Sequence, residues 1–231
     1  MTQTIPPVIT IDGPGGAGKG TVALRVARYL GWHTLDSGAL YRVLAIAAQR
    51  HQINVNDEIA LAELANHLAV NFVTMPDLSG NRVILDEQEV TTELRTESCG
   101  TLASQIATLP SVRQALLARQ RAFRQPPGLV ADGRDMGSIV FPEASHKFFL
   151  TASCEERAHR RYKQLKEKGV DANMEILIKE ITERDQRDST RATAPLIATA
   201  AATVIDTTGV PIESVVAHIL RQVFADKVTA R

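Results

Sequence analysis

Nine residues constrain this chain more than any other stretch: Gly13-Pro14-Gly15-Gly16-Ala17-Gly18-Lys19-Gly20-Thr21. They follow a short apolar run, Val8-Ile9-Thr10-Ile11, and open a helical pattern through Val22-Ala23-Leu24-Arg25-Val26-Ala27-Arg28. A strand, a glycine-rich turn and a helix in that order form the setting of a phosphate-binding loop. Glycines let successive backbone N–H groups converge on one anion, and the new helix adds the positive end of its dipole. Lys19 supplies a mobile full charge for the β- and γ-phosphates, so the stretch predicts a nucleoside triphosphate site over Gly13, Pro14, Gly15, Gly16, Ala17, Gly18, Lys19, Gly20 and Thr21. One position departs from the usual pattern. Gly20 stands where a metal-touching Ser or Thr is normally found, and Thr21 comes one residue later.

At 231 residues the chain is long enough for one domain with a sub-domain insert. Lys plus Arg and Asp plus Glu number 26 each, so any anionic ligand has to be met by locally clustered arginines. A balanced charge gives no pointer to duplex nucleic acid, and no cationic amphipathic helix points to a membrane. The N-terminal residues lack the regions of a signal peptide, and no apolar run reaches membrane-spanning length. Cys99 and Cys154 have no metal-ligand spacing and read as buried thiols. The expectation is a soluble, cytoplasmic protein, acting as a monomer without nucleic acid or membrane.

Further along, Thr34-Leu35 leads into Asp36-Ser37-Gly38, and apolar spacing predicts a helix over Ala39–Gln49. A second helix runs from Asp57, as N-cap, to Leu68. The period then changes: Phe72–Thr74, Arg82–Leu85 and Glu89–Val90 read as short antiparallel strands around a turn cluster, Asp77–Asn81. Helices resume over Thr96–Ala107 and Ser111–Arg124. Leu129–Ala131 is too apolar for an edge strand and runs into Asp132-Gly133-Arg134-Asp135; Lys147–Leu150 is a buried strand. Two charged helices follow, Cys154–Lys168 and Met174–Ser189, then a last strand at Thr203–Ile205 and a helix over Ile212–Phe224. Strands alternating with helices argue for a parallel sheet covered on both faces.

Several residues carry chemistry on their own. Ser37 and Arg42 flank a turn and a half of helix just after a strand end, where open α/β sheets bind ligands; a capping serine and a solvated arginine are the plainer alternative. Asp132 is placed for a carboxylate that holds a metal-bound water. Arg157, Arg160 and Arg161 share one helix face, and Arg184, Asp188 and Arg191 another by their i, i+4, i+7 spacing. The six histidines form no catalytic or metal pattern.

Four motifs in this order, Ile11–Thr21, Asp36–Arg42, Ala131–Gly137 and Glu183–Asp188, resemble those of the bacterial cytidylate kinases among the nucleoside monophosphate kinases, over nearly the whole length. The resemblance implies an α/β, three-layer P-loop kinase fold with a five-stranded parallel sheet. It also implies one kinase domain over residues 1–231, with a small antiparallel insert in the monophosphate-binding region near 37–108 and a helical lid near 154–190. It implies transfer of a phosphoryl group from ATP, with Mg2+, to CMP and also dCMP. Carried over residue by residue, it places Ser37, Tyr41, Arg42, Ser104, Arg113, Arg134, Asp135, Arg184, Asp188 and Arg191 around CMP. Asp135 and Arg113 read the cytosine. It assigns Arg157 and Arg161 to ATP, and Lys19, Arg134, Arg184, Arg191 and Asp132 to the transfer itself. The metal would be met by Thr21 and Asp132, the latter directly or through water. The residues Asp206-Thr207-Thr208-Gly209 fall where related kinases contact adenine. Rival readings are a kinase for UMP, AMP, dTMP or a small metabolite such as shikimate, and a nucleotide-dependent switch protein, which would need no second arginine-lined phosphate site.

Overall fold

Val8, Ile9 and Ile11 are the side chains of a strand destined for the middle of a sheet, and all five residues of β1 (Val8–Asp12) are buried in the computed structural model. The structure describes residues 5–74, 81–167 and 169–229. The chain divides into two compact units, residues 1–35 with 124–231, and residues 36–123.

In the first unit β1 belongs to a five-stranded parallel sheet with β2 (His33–Asp36), β6 (Leu129–Gly133), β7 (His146–Thr151) and β8 (Thr203–Asp206). The order is β2-β6-β1-β7-β8, so the apolar Leu129–Ala131 run is interior as expected. Parallel register pairs Ile11 with Asp132 and Asp12 with Gly133, setting the Asp132 loop beside the glycine-rich one at the carboxyl ends of the strands. Helix α1 (Lys19–Leu30) begins behind Gly18, which is left-handed at φ 88°, and stops at left-handed Gly31, whose N–H closes onto Ala27 and Arg28. Val22, Ala23, Val26 and Ala27 recur at helical spacing and are buried. They pack with Val215, Ile219 and Val223 of α8 (Ile212–Thr229) onto Ile9, Ile11, Val130, Phe148 and Leu150. Each large aliphatic side chain so buried contributes about 1.5–3 kcal/mol.

The charged helices α6 (Cys154–Glu167) and α7 (Met174–Thr190) pack on each other. The expected end of α6 at Lys168 lies outside the described residues. One expectation is corrected: Arg191 does not continue the helical i, i+7 series. It is the C-cap of α7, with extended backbone at φ −61°, ψ 138°. A π-helical turn over Met136–Val140 was not foreseen; nothing in Met136-Gly137-Ser138 signals a helix.

The second unit contains α2 (Ser37–Arg50), α3 (Glu58–Asn66), α4 (Glu97–Ile106) and α5 (Pro110–Ala122). With them is an antiparallel sheet of β3 (Val70–Thr74), β4 (Asn81–Leu85) and β5 (Gln88–Glu89), the small insert anticipated from the change of period. Asp57 caps α3 as expected, accepting from the Ala60 N–H at 3.0 Å. Val43 through Ala48 are all at most 1% exposed, so α2 is apolar all round and forms the axis of this unit's core. Of the expected turn cluster, Asp77 to Gly80 lie outside the described residues and Asn81 opens β4. No helix among the described residues is long and apolar enough to cross a membrane.

Candidate active site

Gly13 begins the loop at φ 143°, and a Cβ there would lie 1.9 Å from the Leu150 carbonyl oxygen; only glycine passes between β1 and β7. The loop ends at Gly18, so Lys19 becomes the first residue of α1 and turns back inside. Its Nζ donates to the Pro14 carbonyl at 2.9 Å and lies 3.8 Å from Asp132 Oδ1. Lys19 is 6% exposed, and burial, followed by the repulsion of Arg134, lowers its ammonium to about 8 although Asp132 pulls the other way. A cation held under such conditions is one that an incoming polyphosphate relieves.

Asp132 is buried at the end of β6. A Cβ on Gly20 would come within 3.2 Å of its Oδ2, so the glycine at this position makes room for the carboxylate where other loops carry a hydroxyl. Among the described residues, no cluster of three or more His, Cys, Asp or Glu side chains is gathered for a metal. A single carboxylate next to a phosphate cradle fits Mg2+, which keeps its waters and takes its other ligands from substrate phosphates. Thr21, the other expected metal contact, is exposed.

Around the loop stand the arginines. Arg134 Nε donates to Asp188 Oδ2 at 2.9 Å, and a Cβ on Gly15 would be 3.5 Å from Arg134 and 3.7 Å from the Arg184 guanidinium. Burial alone would raise the Asp188 carboxyl, but Arg134, Arg184 and Arg191 together hold it below its ordinary value. Arg191, fixed by its Nε bond to the Ala194 carbonyl, lies 3.9 Å from Asp135 Oδ1, both groups being buried. The structure therefore brings together Lys19, Asp132, Arg134, Asp135, Arg184, Asp188 and Arg191 in the first unit. Arg157 is buried in contacts with protein: both terminal nitrogens meet Asp185, at 3.0 and 2.6 Å, and Nη1 also reaches the Gly15 carbonyl at 3.2 Å. Arg161 is half-buried, with Nη1 3.4 Å from Gln164.

The second unit holds the other expected residues. Ser37 is the first residue of α2 and is buried; its Oγ accepts from Gln120 Nε2 at 2.8 Å. That bond occupies a lone pair and leaves the hydroxyl hydrogen to be given elsewhere. Arg113 lies over the Tyr41 ring at 5.9 Å and donates to the Ala107 carbonyl. Arg42 donates to the Leu94 and Thr96 carbonyls at 2.7 and 3.2 Å, its guanidinium against Gly100. Ser104 Oγ is buried without a hydrogen-bond partner among the described residues.

Sequence reasoning gave no role of their own to Asp12, Asp185 and Gln120, and placed Thr207 only in the segment expected near adenine. Asp12 accepts from the Met136 and Gly137 N–H groups, each at 2.8 Å, tying the glycine-rich loop's entry to the Asp132–Asp135 segment. Burial lifts its carboxyl to about 6 against those two donors. Its place directly before the loop was a usable signal. Asp185 sits between the noted Arg184 and Asp188, Thr207 ends the β8 turn, and Gln120 carries no signal in its pattern.

The family model for cytidylate kinase matches residues 9–225. The cytidylate kinase of Azotobacter vinelandii is 58% identical over 220 residues, 95% of this chain and 96% of that one. That of Pseudomonas paraeruginosa is 59% identical over 93% of each chain. That of Shewanella frigidimarina is 55% identical over 94% of this chain and 95% of its own. With this match running through both units and the phosphate loop, the chain belongs to the cytidylate kinase family.

Proposed function

We propose that the chain transfers the γ-phosphoryl group of ATP to CMP, giving ADP and CDP, and that it accepts dCMP as well. The observation that carries this reading is the grouping of Lys19, Asp132, Arg134 and Arg184 at one glycine-rich loop, with Asp188 paired to Arg134 and Asp135 beside Arg191 in the same unit. A switch protein needs the loop but has no use for a second set of arginines beside it.

The chemistry asks little of a base. The second pKa of a phosphate monoester is about 6, so the acceptor oxygen is already largely ionised at neutral pH. That oxygen forms its bond to the γ-phosphorus as the bond to the ADP oxygen breaks, and the difficulty is bringing two anions together. Lys19 and the loop amides bind the donor phosphates, and Arg134, Arg184 and Arg191 neutralise charge on the acceptor and the moving group. Asp132 would hold Mg2+, through water where distance requires, and the ion supplies further charge neutralisation when bound. Arg161 is assigned to the donor on the resemblance. On the acceptor side, Ser37 gives its free hydroxyl hydrogen to the CMP phosphate alongside Arg42, with Tyr41 at the same pocket. Asp188 takes the ribose. Asp135 accepts from the cytosine amino group while Arg113 and Ser104 meet the acceptors on the other edge.

An ADP-release assay with CMP, dCMP, UMP, AMP and dTMP tests the assignment. CMP and dCMP should be turned over with kcat/KM at least about a hundredfold above the others, the discrimination expected from a site built to pair a polar edge. Faster turnover of UMP, AMP or dTMP than of CMP would overturn it.

A further inference from the structure

A phosphate loop works by turning its N–H groups inward, and the other side of each peptide must then be held outward. Three consecutive carbonyls of this loop lie within hydrogen-bond reach of a donor from elsewhere in the first unit, the Thr207 hydroxyl being shared with the Thr151 carbonyl. Gly15 O accepts from Arg157 Nη1 at 3.2 Å, Gly16 O from Arg160 Nη1 at 3.4 Å, and Ala17 O from Thr207 Oγ1 at 3.1 Å. At the two ends, Pro14 O is taken by Lys19 and Gly18 O by the first bond of α1 from Val22. Because a planar trans peptide points its C=O and N–H in opposite directions, fixing the carbonyls of residues 15–17 fixes the N–H groups of Gly16, Ala17 and Gly18.

The donors are themselves braced. Asp185 grips Arg157 with both carboxylate oxygens, and the Arg157 Nε is bonded to the Ala152 and Ser153 carbonyls. Glu156 holds Arg160 Nε at 2.8 Å, and Arg160 Nη2 donates to the Thr207 carbonyl at 2.6 Å. Thr207 is 3% exposed, its hydroxyl also within 3.0 Å of the Thr151 carbonyl. The close packing extends to carbon atoms, since a Cβ on Gly16 would lie 3.1 Å from the Arg157 Cβ.

We infer that Arg157, Arg160 and Thr207 form a clamp on the carbonyl side of the phosphate loop, positioning residues that set ATP affinity without touching the nucleotide. Arg157 thus serves the donor through the Gly15 peptide, with Asp185 as its necessary brace. The inference rests on the proposed ATP site, so binding of ATP to the unaltered chain is measured first; no binding there would refute the site itself.

The decisive variant is Asp185→Asn. If Arg157 met the triphosphate by its charge, removing a competing carboxylate would leave ATP binding equal or tighter. The clamp requires it to weaken, by about five- to tenfold for one lost charge-assisted bond. Thr207→Val, which keeps the shape and loses the hydroxyl, should weaken ATP by a similar factor while leaving adenosine binding and the KM for CMP unchanged; Thr207→Ser should restore it. Calorimetric titration of each full-length variant reads all of these, with circular dichroism to show that the fold is kept. Unchanged or tighter ATP binding in Asp185→Asn, or an equal loss of adenosine binding in Thr207→Val, would overturn the clamp. Should Asp185→Asn not fold, the Thr207 pair decides alone.

Discussion

Lys19 and Asp12 are buried groups of opposite kind, and burial disfavours the charge on both. For Lys19 the proposed triphosphate would offset the cost, and an ammonium prepared in this way would need no rearrangement at the moment of transfer. For Asp12 the offset is internal, two backbone N–H groups at 2.8 Å, and it is incomplete, so the carboxyl sits at about 6 instead of 3.8. Between those values the unfolded chain has lost the proton while the folded chain still holds it. Stability from this group is therefore present at pH 4 and below and is lost as the pH rises to 6, by about 3 kcal/mol. Asp188 has the opposite sign: its lowered carboxyl gives stability that is present above 3.8 and lost on acidification. Asp12→Asn loses one of two bonds at every pH, but the wild-type advantage should be larger at pH 4.5 than at pH 7.5. Denaturant melts of both proteins at the two pH values check this; an advantage that grows with pH would contradict it.

Among the elements, α4 shows why a glycine in a helix is informative. Glycine costs about 1 kcal/mol relative to alanine in a helix interior. At Gly100 a Cβ would stand 2.8 Å from an Arg42 nitrogen, so the missing side chain is what lets that guanidinium lie across α4 and reach the Leu94 and Thr96 carbonyls. Gly100→Ala should keep the fold, gain helix propensity, and raise the KM for CMP about tenfold by displacing the arginine proposed for the CMP phosphate. The KM for ATP should not move. Initial rates against each substrate measure both, and an equal rise in the two would remove Arg42 from the acceptor site. None of this was readable from Gly100 alone. By contrast, α1 was legible because its 3.6 period sits on one apolar face, α2 because its apolar residues run on at helical spacing, and the insert because the period changes there. Arg191 was misplaced because helical spacing continues through Ser189 and Thr190, while the chain turns extended at the cap. The π-helical turn after Asp135 was hidden because its support comes from Asp12, far away in sequence.

At the scale of the whole molecule, the charged members of the site were legible: Lys19, Asp132, Arg134, Arg184 and Asp188 are drawn to one place by strand ends and a shared helix face. The supporting residues were not, since Gln120 acts on Ser37, Asp185 on Arg157 and Thr207 on the Ala17 carbonyl, partners that only the fold supplies. Balanced net charge fits this plan, because the positive potential is local, built from arginines whose own partners are close at hand. In the proposed reaction a phosphoryl group leaves ATP and arrives on CMP. Phosphorus NMR of the protein with ATP, Mg2+ and CMP tests that statement directly. Matched growth of ADP and of the two coupled phosphorus signals of CDP is the expected result. Release of inorganic phosphate in place of CDP, or no change in the ATP signals, would contradict it.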